Sequence, residues 1–240
     1  MTISVLIPYR HVDDQRERVF RWVMERWGEA RDTYSEPLQI VVGRQASEGP
    51  WRKGEAYWDA LSRAEGDICL FVDADTWCPA LPAAVNLLVS EAGPWVRGID
   101  EVMRLNATAT EAVLTEDLAP GPARSTHGGV EGTYRHAAAG AGTVVWRKDA
   151  ERIPVDPRFE GWGHEDSAWA FALSTLLGPP AEVDSSPCYH LWHEPQARQS
   201  RTRGSDESWR LWRRYQRAQG DAGAMTGLVE ESLKALAISS

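Results

Sequence analysis

Three short segments carry side chains that do chemistry together: Asp73-Ala74-Asp75, Gly161-Trp162-Gly163-His164-Glu165-Asp166, and His190-Leu191-Trp192-His193. In that order they offer hard oxygen ligands, carboxylates beside an aromatic ring, and imidazoles. The first follows a buried apolar run. Alternate residues of an extended chain put both carboxylates on one side, where they can hold a divalent ion and a hydroxyl together. Standing alone, the same triplet reads as an acidic turn in which one Asp caps a helix. In the second segment, acids at a helix start complement the helix dipole by about 0.3–1 kcal/mol. That accounts for the acids but not for the Gly-Trp-Gly before them. Flanking glycines allow a tight backbone that brings Trp162 and a carboxylate against a bound ring. A carboxylate beside an apolar wall has its pKa raised and can serve as a base. In the third segment, two histidines with carboxylate co-ligands form a mixed nitrogen and oxygen site. Such a site suits manganese first, magnesium second and zinc third. Two unrelated histidines are the plain alternative.

These segments need elements that bring them together. Residues 3–7 are an apolar run ended by Pro8, typical of a buried parallel strand. Asp13 and Asp14 offer an N-cap, and Val19, Phe20, Val23, Met24 and Trp27 recur at helical spacing. Leu38 to Val42 is a second strand, Lys53 to Ala64 a second helix, and Ile68 to Val72 a third strand. This β-α-β-α-β succession argues for an α/β half with a parallel sheet. Ligands of such sheets collect at the carboxyl ends of the strands. Tyr9-Arg10, Gly43-Arg44 and Asp73-Ala74-Asp75 each follow a strand and are expected to share one edge.

Further on, the pattern predicts a helix over 81–92, a strand-like stretch over 95–105, a short helix over 107–114 and an irregular loop over 119–142. A strand over 143–147 and a helix over 166–177, stopped by Gly178-Pro179-Pro180, follow. Two helices near 208–218 and 226–237 close the chain. The first of these interleaves Arg210, Arg213, Arg214 and Arg217 with Trp209, Trp212 and Tyr215. Such a segment is either a solvated face with inward aromatics or a nucleic-acid contact, and the solvated face is the expected reading.

Composition narrows the classes. The 240 residues support one sizeable core, and a net charge of −9 argues against a general nucleic-acid or anionic-membrane binder. The 12 Trp exceed what packing usually requires, and their broad apolar faces suit stacking on rings. Cys69, Cys78 and Cys188 have no paired spacing, so neither a disulfide framework nor a cysteine zinc site is expected. No basic leader and no spanning apolar run are evident, and a cytoplasmic location is expected.

In motif order and spacing the chain resembles the GT-A glycosyltransferases, family-2-like with a galactosyltransferase-type C-terminal half, from about residue 3 to 195. The resemblance implies an α/β GT-A (nucleotide-diphospho-sugar transferase) fold with a mostly parallel central sheet flanked by helices. It implies a metal-dependent transfer of a hexose or N-acetylhexosamine from a UDP-sugar to a hydroxyl of a glycan, protein or small molecule, with inversion. Ile7-Pro8-Tyr9-Arg10 looks like the strand end of β-1,4-galactosyltransferases that contacts uridine diphosphate. Asp73 and Ala74 would contact the donor and Asp75 the metal, manganese or alternatively magnesium. Asp166, with Glu165 beside it, matches the family's base, and Trp162, Gly163 and Trp77 are expected along the acceptor. His193, with His190, would complete the metal ligands. Arg44, Lys53, Arg198, Arg201 and Arg203 are expected at the donor, the last three on a loop over 194–204 that orders with donor and metal.

Two departures stand out. The second strand ends Val42-Gly43-Arg44-Gln45, without the acid that many family-2 members use to read uracil. Residues 94–142 match nothing in the family, and acceptor choice normally resides there. The expected organisation is a catalytic unit over 1–204, divided into a nucleotide half (1–92) and an acceptor and metal half (93–204), with a helical extension over 205–240. The alternatives are a retaining transferase, a nucleotidyltransferase, a nucleic-acid-modifying transferase and a non-catalytic carbohydrate-binding protein on the same fold.

Overall fold

The N-terminal apolar run forms β1 (Ile3–Pro8), buried along its whole length. A strand buried on both faces belongs inside a parallel sheet. Accordingly, β1 pairs in parallel with β2 (Leu38–Gly43) on one side and β3 (Ile68–Phe71) on the other. The computed structural model describes residues 1–79, 81–116, 129–135, 138–161, 163–184, 187–194 and 205–239. The first crossover is α1 (Asp14–Thr33), capped by the Asp13 carboxylate, which accepts from the Arg16 amide at 2.8 Å. The second is α2 (Lys53–Ser62).

Beyond β3 the sheet continues through β8 (Thr143–Trp146), which runs antiparallel, then β5 (Trp95–Arg97) and β9 (Ala181–Glu182). The six-stranded order is β2-β1-β3-β8-β5-β9, in which β8 alone opposes the rest. A second sheet orders β4 (Thr76–Trp77), β10 (Pro187–His190), β6 (Glu101–Leu105) and β7 (Val130–Arg135) side by side. The other described helices are α3 (Leu81–Val89), α4 (Ala107–Glu116), α5 (Arg147–Arg152), α6 (Glu165–Leu176), α7 (Asp206–Ala218) and α8 (Ala222–Ser239).

Two hydrophobic cores lie on opposite faces of the six-stranded sheet, and strand alternation divides them. Ile3, Val5 and Ile7 of β1 face one core with Ile68 and Leu70 of β3, while Leu6, Cys69 and Phe71 face the other. Helix α1 covers the first through Val19, Trp22, Val23 and Trp27. Helices α2, α5, α6, α7 and α8 cover the second.

Several expectations meet a different structure. The stretch 95–105 is two strands in two sheets, separated at Gly98-Ile99-Asp100, because β5 joins the central sheet and β6 the second one. The 119–142 stretch is not irregular throughout: β7 pairs with β6 across it, while 117–128 lie outside the described residues. Helix α5 is too short for periodicity to reveal. The C-terminal helices pack into the second core. Leu211, Trp212 and Tyr215 of α7 and Met225 and Leu228 of α8 are buried in the same core as Trp169 and Leu173 of α6. Arg210, Arg213, Arg214 and Arg217 are exposed on the opposite face of α7, as the solvated-face reading expects.

Those helices also brace the chain just before α6. Buried Asp156 accepts from the Tyr215 hydroxyl at 2.9 Å and from Arg158, whose guanidinium also pairs with Glu231 of α8. The Ser208 hydroxyl accepts from the Glu160 amide at 2.9 Å. From the other side, Arg52 pairs with Glu160, and the Gly161 amide donates to the Trp51 carbonyl at 2.7 Å. At Gly54 the backbone of 155–156 crosses so closely that an added Cβ would lie 2.7 Å from it, so only glycine lets α2 start there. The segment leading into α6 is therefore held against the start of α2.

Candidate functional site

The carboxyl end of β3 is where the chemistry gathers. Asp73 follows β3, and the chain then turns, with the Thr76 amide donating to the Asp73 carbonyl at 3.3 Å. The expected extended Asp73-Ala74-Asp75 is thus a turn, and its carboxylates serve different partners. Asp75 faces the second sheet. Antiparallel pairing sets Tyr189 against Trp77 and His190 against Thr76, and the Leu191 amide donates to the Asp75 carbonyl at 2.9 Å. That register delivers both histidines to one carboxylate. His193 Nε2 lies 2.9 Å from one Asp75 oxygen and His190 Nε2 lies 3.9 Å from the other.

One ligand atom from each of Asp75, His190 and His193 falls within 4.8 Å of the others, the one such cluster among the described residues. The donor set fits a divalent metal. Burial opposes charge on Asp75, but His190 and His193 hold its pKa well below the usual carboxylate range, which keeps it an anionic ligand. Burial pulls His190 down against the pull of Asp75, leaving a neutral ring with a lone pair to give. His193 is also pulled down by burial, but its hydrogen bond and charge contact with Asp75 raise it on balance. Bound there, a metal would supply a Lewis acid for an anionic leaving group.

Asp73 faces the other way. It accepts from Lys53 Nζ at 2.7 Å and from the Tyr57 hydroxyl at 3.1 Å, both on α2. The same Lys53 nitrogen reaches both oxygens of Asp166, at 3.1 and 3.3 Å. Asp166 is the second residue of α6, and its backbone carbonyl accepts from the Ala139 amide at 3.2 Å. Burial pushes the Asp166 pKa up to about 8; Lys53 opposes the rise, while Glu165 and Asp73 add to it. A carboxyl tuned towards neutrality and linked through Lys53 to Asp73 suits proton abstraction.

Other candidates fall into place or out of it. Pro8 is buried opposite Gly43 at the edge, and the Tyr9 ring stacks on Phe20 at 3.8 Å with its hydroxyl bonded to Glu17. Arg10 is exposed, donates to the Gly49 carbonyl at 3.0 Å and lies over Trp51. Arg44 is exposed beside Tyr9, with its backbone amide bonded to Asp59 at 2.8 Å. These strand ends share one edge. Ala74 and Trp77 are partly buried and pack against the core beneath α1, where the Trp77 ring meets Trp22 and Trp27 edge-on at 6.4 and 5.4 Å. Glu165 accepts from the Gly163 amide at 3.3 Å and serves the tight turn. Trp162, Arg198, Arg201 and Arg203 lie outside the described residues, as does the loop from 195 to 204.

The sequence reading missed three contributors. Arg16, in the first turn of α1, reaches His193 Nδ1 at 2.8 Å, but nothing in its spacing separates it from neighbouring arginines. Trp212 stacks on His164 at 4.9 Å, and that histidine occupies a left-handed backbone at the start of α6. Gly140 has φ +105, and a Cβ there would stand 2.5 Å from Asp166 Oδ1. Gly140→Ala is expected to strain the loop and displace the Asp166 carboxylate. A misplacement near 1 Å can cost a catalytic group about 10²-fold in rate, so any reaction in which Asp166 takes part should slow on that scale. Paired steady-state kinetics and calorimetry on the variant would check this.

No protein-family model matches the chain, and no curated protein matches it. Among solved structures it is similar to glucosyl-3-phosphoglycerate synthase from Mycobacterium tuberculosis in complex with Mn2+ and UDP-glucose. That alignment has 19% identity and a TM-score of 0.43, and covers 98% of this chain and 78% of that one. It is also similar to residues 1–349 of S. aureus TarS in complex with UDP, at 12% identity and a TM-score of 0.49, covering 97% and 71%. A mycobacterial protein aligns at 20% identity and a TM-score of 0.43, covering 98% and 74%. The chemistry of the site rests on this chain's own residues. Among the described residues, no helix is long and apolar enough to cross a membrane.

Proposed function

We propose that the chain is a metal-dependent glycosyltransferase of GT-A type, moving a hexose or N-acetylhexosamine from a UDP-sugar to a hydroxyl acceptor with inversion. One observation carries this reading. A candidate metal cluster (Asp75, His190, His193) and a carboxyl with raised pKa (Asp166) meet at the carboxyl edge of the sheet, linked through Asp73 and Lys53. The ligand carboxylate is held ionised while the base is drawn towards neutrality. Two carboxyls tuned apart in this way support Asp75 as ligand and Asp166 as base.

In this reading Pro8, Tyr9, Arg10 and Arg44 flank the nucleotide, since ligands of such sheets lie outside the strand ends. The ions at Asp75, His190 and His193, manganese before magnesium, would offset the charge that develops on the diphosphate as it leaves. Asp166 takes the proton of the acceptor hydroxyl, which attacks the anomeric carbon from the face opposite the diphosphate. Closure of the 194–204 loop with its arginines, and contact of Trp162 and Gly163 with the acceptor, belong to the same proposal. A small-molecule, glycan or protein acceptor fits better than nucleic acid, because the basic side chains of α7 form a solvated face beside partners such as Glu231.

The test is a donor screen by thermal shift with manganese, followed by mass spectrometry of transfer products and NMR of the new anomeric centre. Stabilisation by a UDP-sugar and an inverted product support the reading. Turnover undiminished by chelator would remove the metal, and a product of retained configuration would remove inversion.

A further inference from the structure

Lys53 occupies a position that helix energetics do not explain. It is the first residue of α2, where the positive end of the helix dipole disfavours a cation. Its side chain is only 11% exposed, and burial alone would discharge it; Asp166 and Asp73 overcome that and hold its pKa well above the ordinary value. Those two carboxylates are its ion pairs among the described residues. One comes from the turn after β3 and is two residues from the metal-ligand candidate Asp75. The other comes from the second position of α6, more than 90 residues further along the chain. The next residue, Gly54, is crossed by the 155–156 backbone, so the start of α2 and the approach to α6 are fixed against each other.

We propose that Lys53 is a positioning residue for the base: its ammonium ties Asp166 to Asp73, fixing the distance from the base to the donor-side carboxylate. This rests on the proposed transferase reading and differs from a simple donor contact. A donor contact would act on binding, whereas a tether acts on the base. Among the described residues, the charged and titratable groups facing Asp166 are Lys53 and Tyr57 of α2, Asp73 of the β3–β4 turn and Glu165 of α6. Lys53 is the one cation in that set. Removing it leaves carboxylates facing one another in a buried setting, which disfavours ionisation of Asp166.

The test compares Lys53→Met and Lys53→Arg with the native chain. Carboxyl carbon NMR, with the Asp166 resonance assigned through Asp166→Asn, reads the tether without any need for turnover. The Asp166 midpoint should move about 1–3 pH units upward in Lys53→Met, the usual effect of losing an adjacent opposite charge, and stay in place in Lys53→Arg. In transfer assays Lys53→Met should lose about 10²-fold in kcat at neutral pH, the scale of a misplaced catalytic group, with donor KM unchanged and part of the loss recovered in alkaline buffer. Should Lys53→Met not fold, Lys53→Arg still decides: an unmoved midpoint with lowered kcat and unchanged KM supports the tether. An unmoved midpoint in a folded Lys53→Met, or a defect confined to donor KM, overturns it. Absence of transfer by the native chain with every UDP-sugar would sink the transferase reading alone, because the NMR result stands apart from it.

Discussion

Asp166→Asn is expected to reduce glycosyl transfer by roughly 10²–10⁴-fold, the contribution of a positioned general base, while UDP and manganese still bind. The amide is nearly isosteric and keeps an oxygen to accept from Lys53, so the α2–α6 junction holds. What disappears is a lone pair that can take up a proton. The pH dependence of the native chain follows from the same residue. Its pKa is pushed up to about 8, chiefly by burial. A base works only when deprotonated, so kcat/KM should rise with pH through that region, and the rise should be absent from the residual activity of the variant. Kinetics from pH 6 to 10, beside calorimetry with UDP and manganese, would test both statements. Native-like turnover in Asp166→Asn would remove it as the base.

The second large effect is expected at the metal cluster. Asp75→Asn and His193→Ala should each weaken manganese binding by more than the roughly 10–100-fold that altering an outer-shell partner costs. Asp75 touches both histidines, so its substitution removes one ligand and the group that orients the others. Asp73→Asn should behave differently: its partners are Lys53 and Tyr57, so manganese affinity should persist while turnover falls. Electron paramagnetic resonance titration of free manganese separates the cases. Equal loss of affinity in Asp73→Asn and Asp75→Asn would show that both carboxylates hold the ion.

Much of this was legible from local pattern. The strands through residue 72 are long apolar runs, α1 carries its Asp13 cap, and the strand ends that share an edge follow from parallel topology. That Asp75, His190 and His193 come together was expected from the glycosyltransferase resemblance, since two histidines three positions apart read equally well as unrelated. The partition of the Asp73 and Asp75 carboxylates was not. Spacing two residues apart implies one side of an extended chain, but a turn after β3 splits them between α2 and the second sheet. The packing of Trp77 against other tryptophans was not legible either, because sequence does not tell a Trp that packs on its own chain from one that stacks on a ligand. Its place between Trp22 and Trp27 depends on how α1 crosses the sheet. Gly140 and Arg16 act through contacts with distant residues, which leave no local signature.

Strand β10 lies between β4 and β6 in the second sheet. During synthesis, therefore, β4 is complete at Trp77 and β6 at Leu105, long before the strand that joins them begins at Pro187. Until then their inner edges carry unpaired backbone groups, the form of edge most open to wrong pairing. The same late strand brings His190, with His193 just behind it. A metal bound by Asp75, His190 and His193 would therefore have to wait until the second sheet has closed, and a slip of β10 by one residue would turn its side chains to the other face and separate His190 from Asp75.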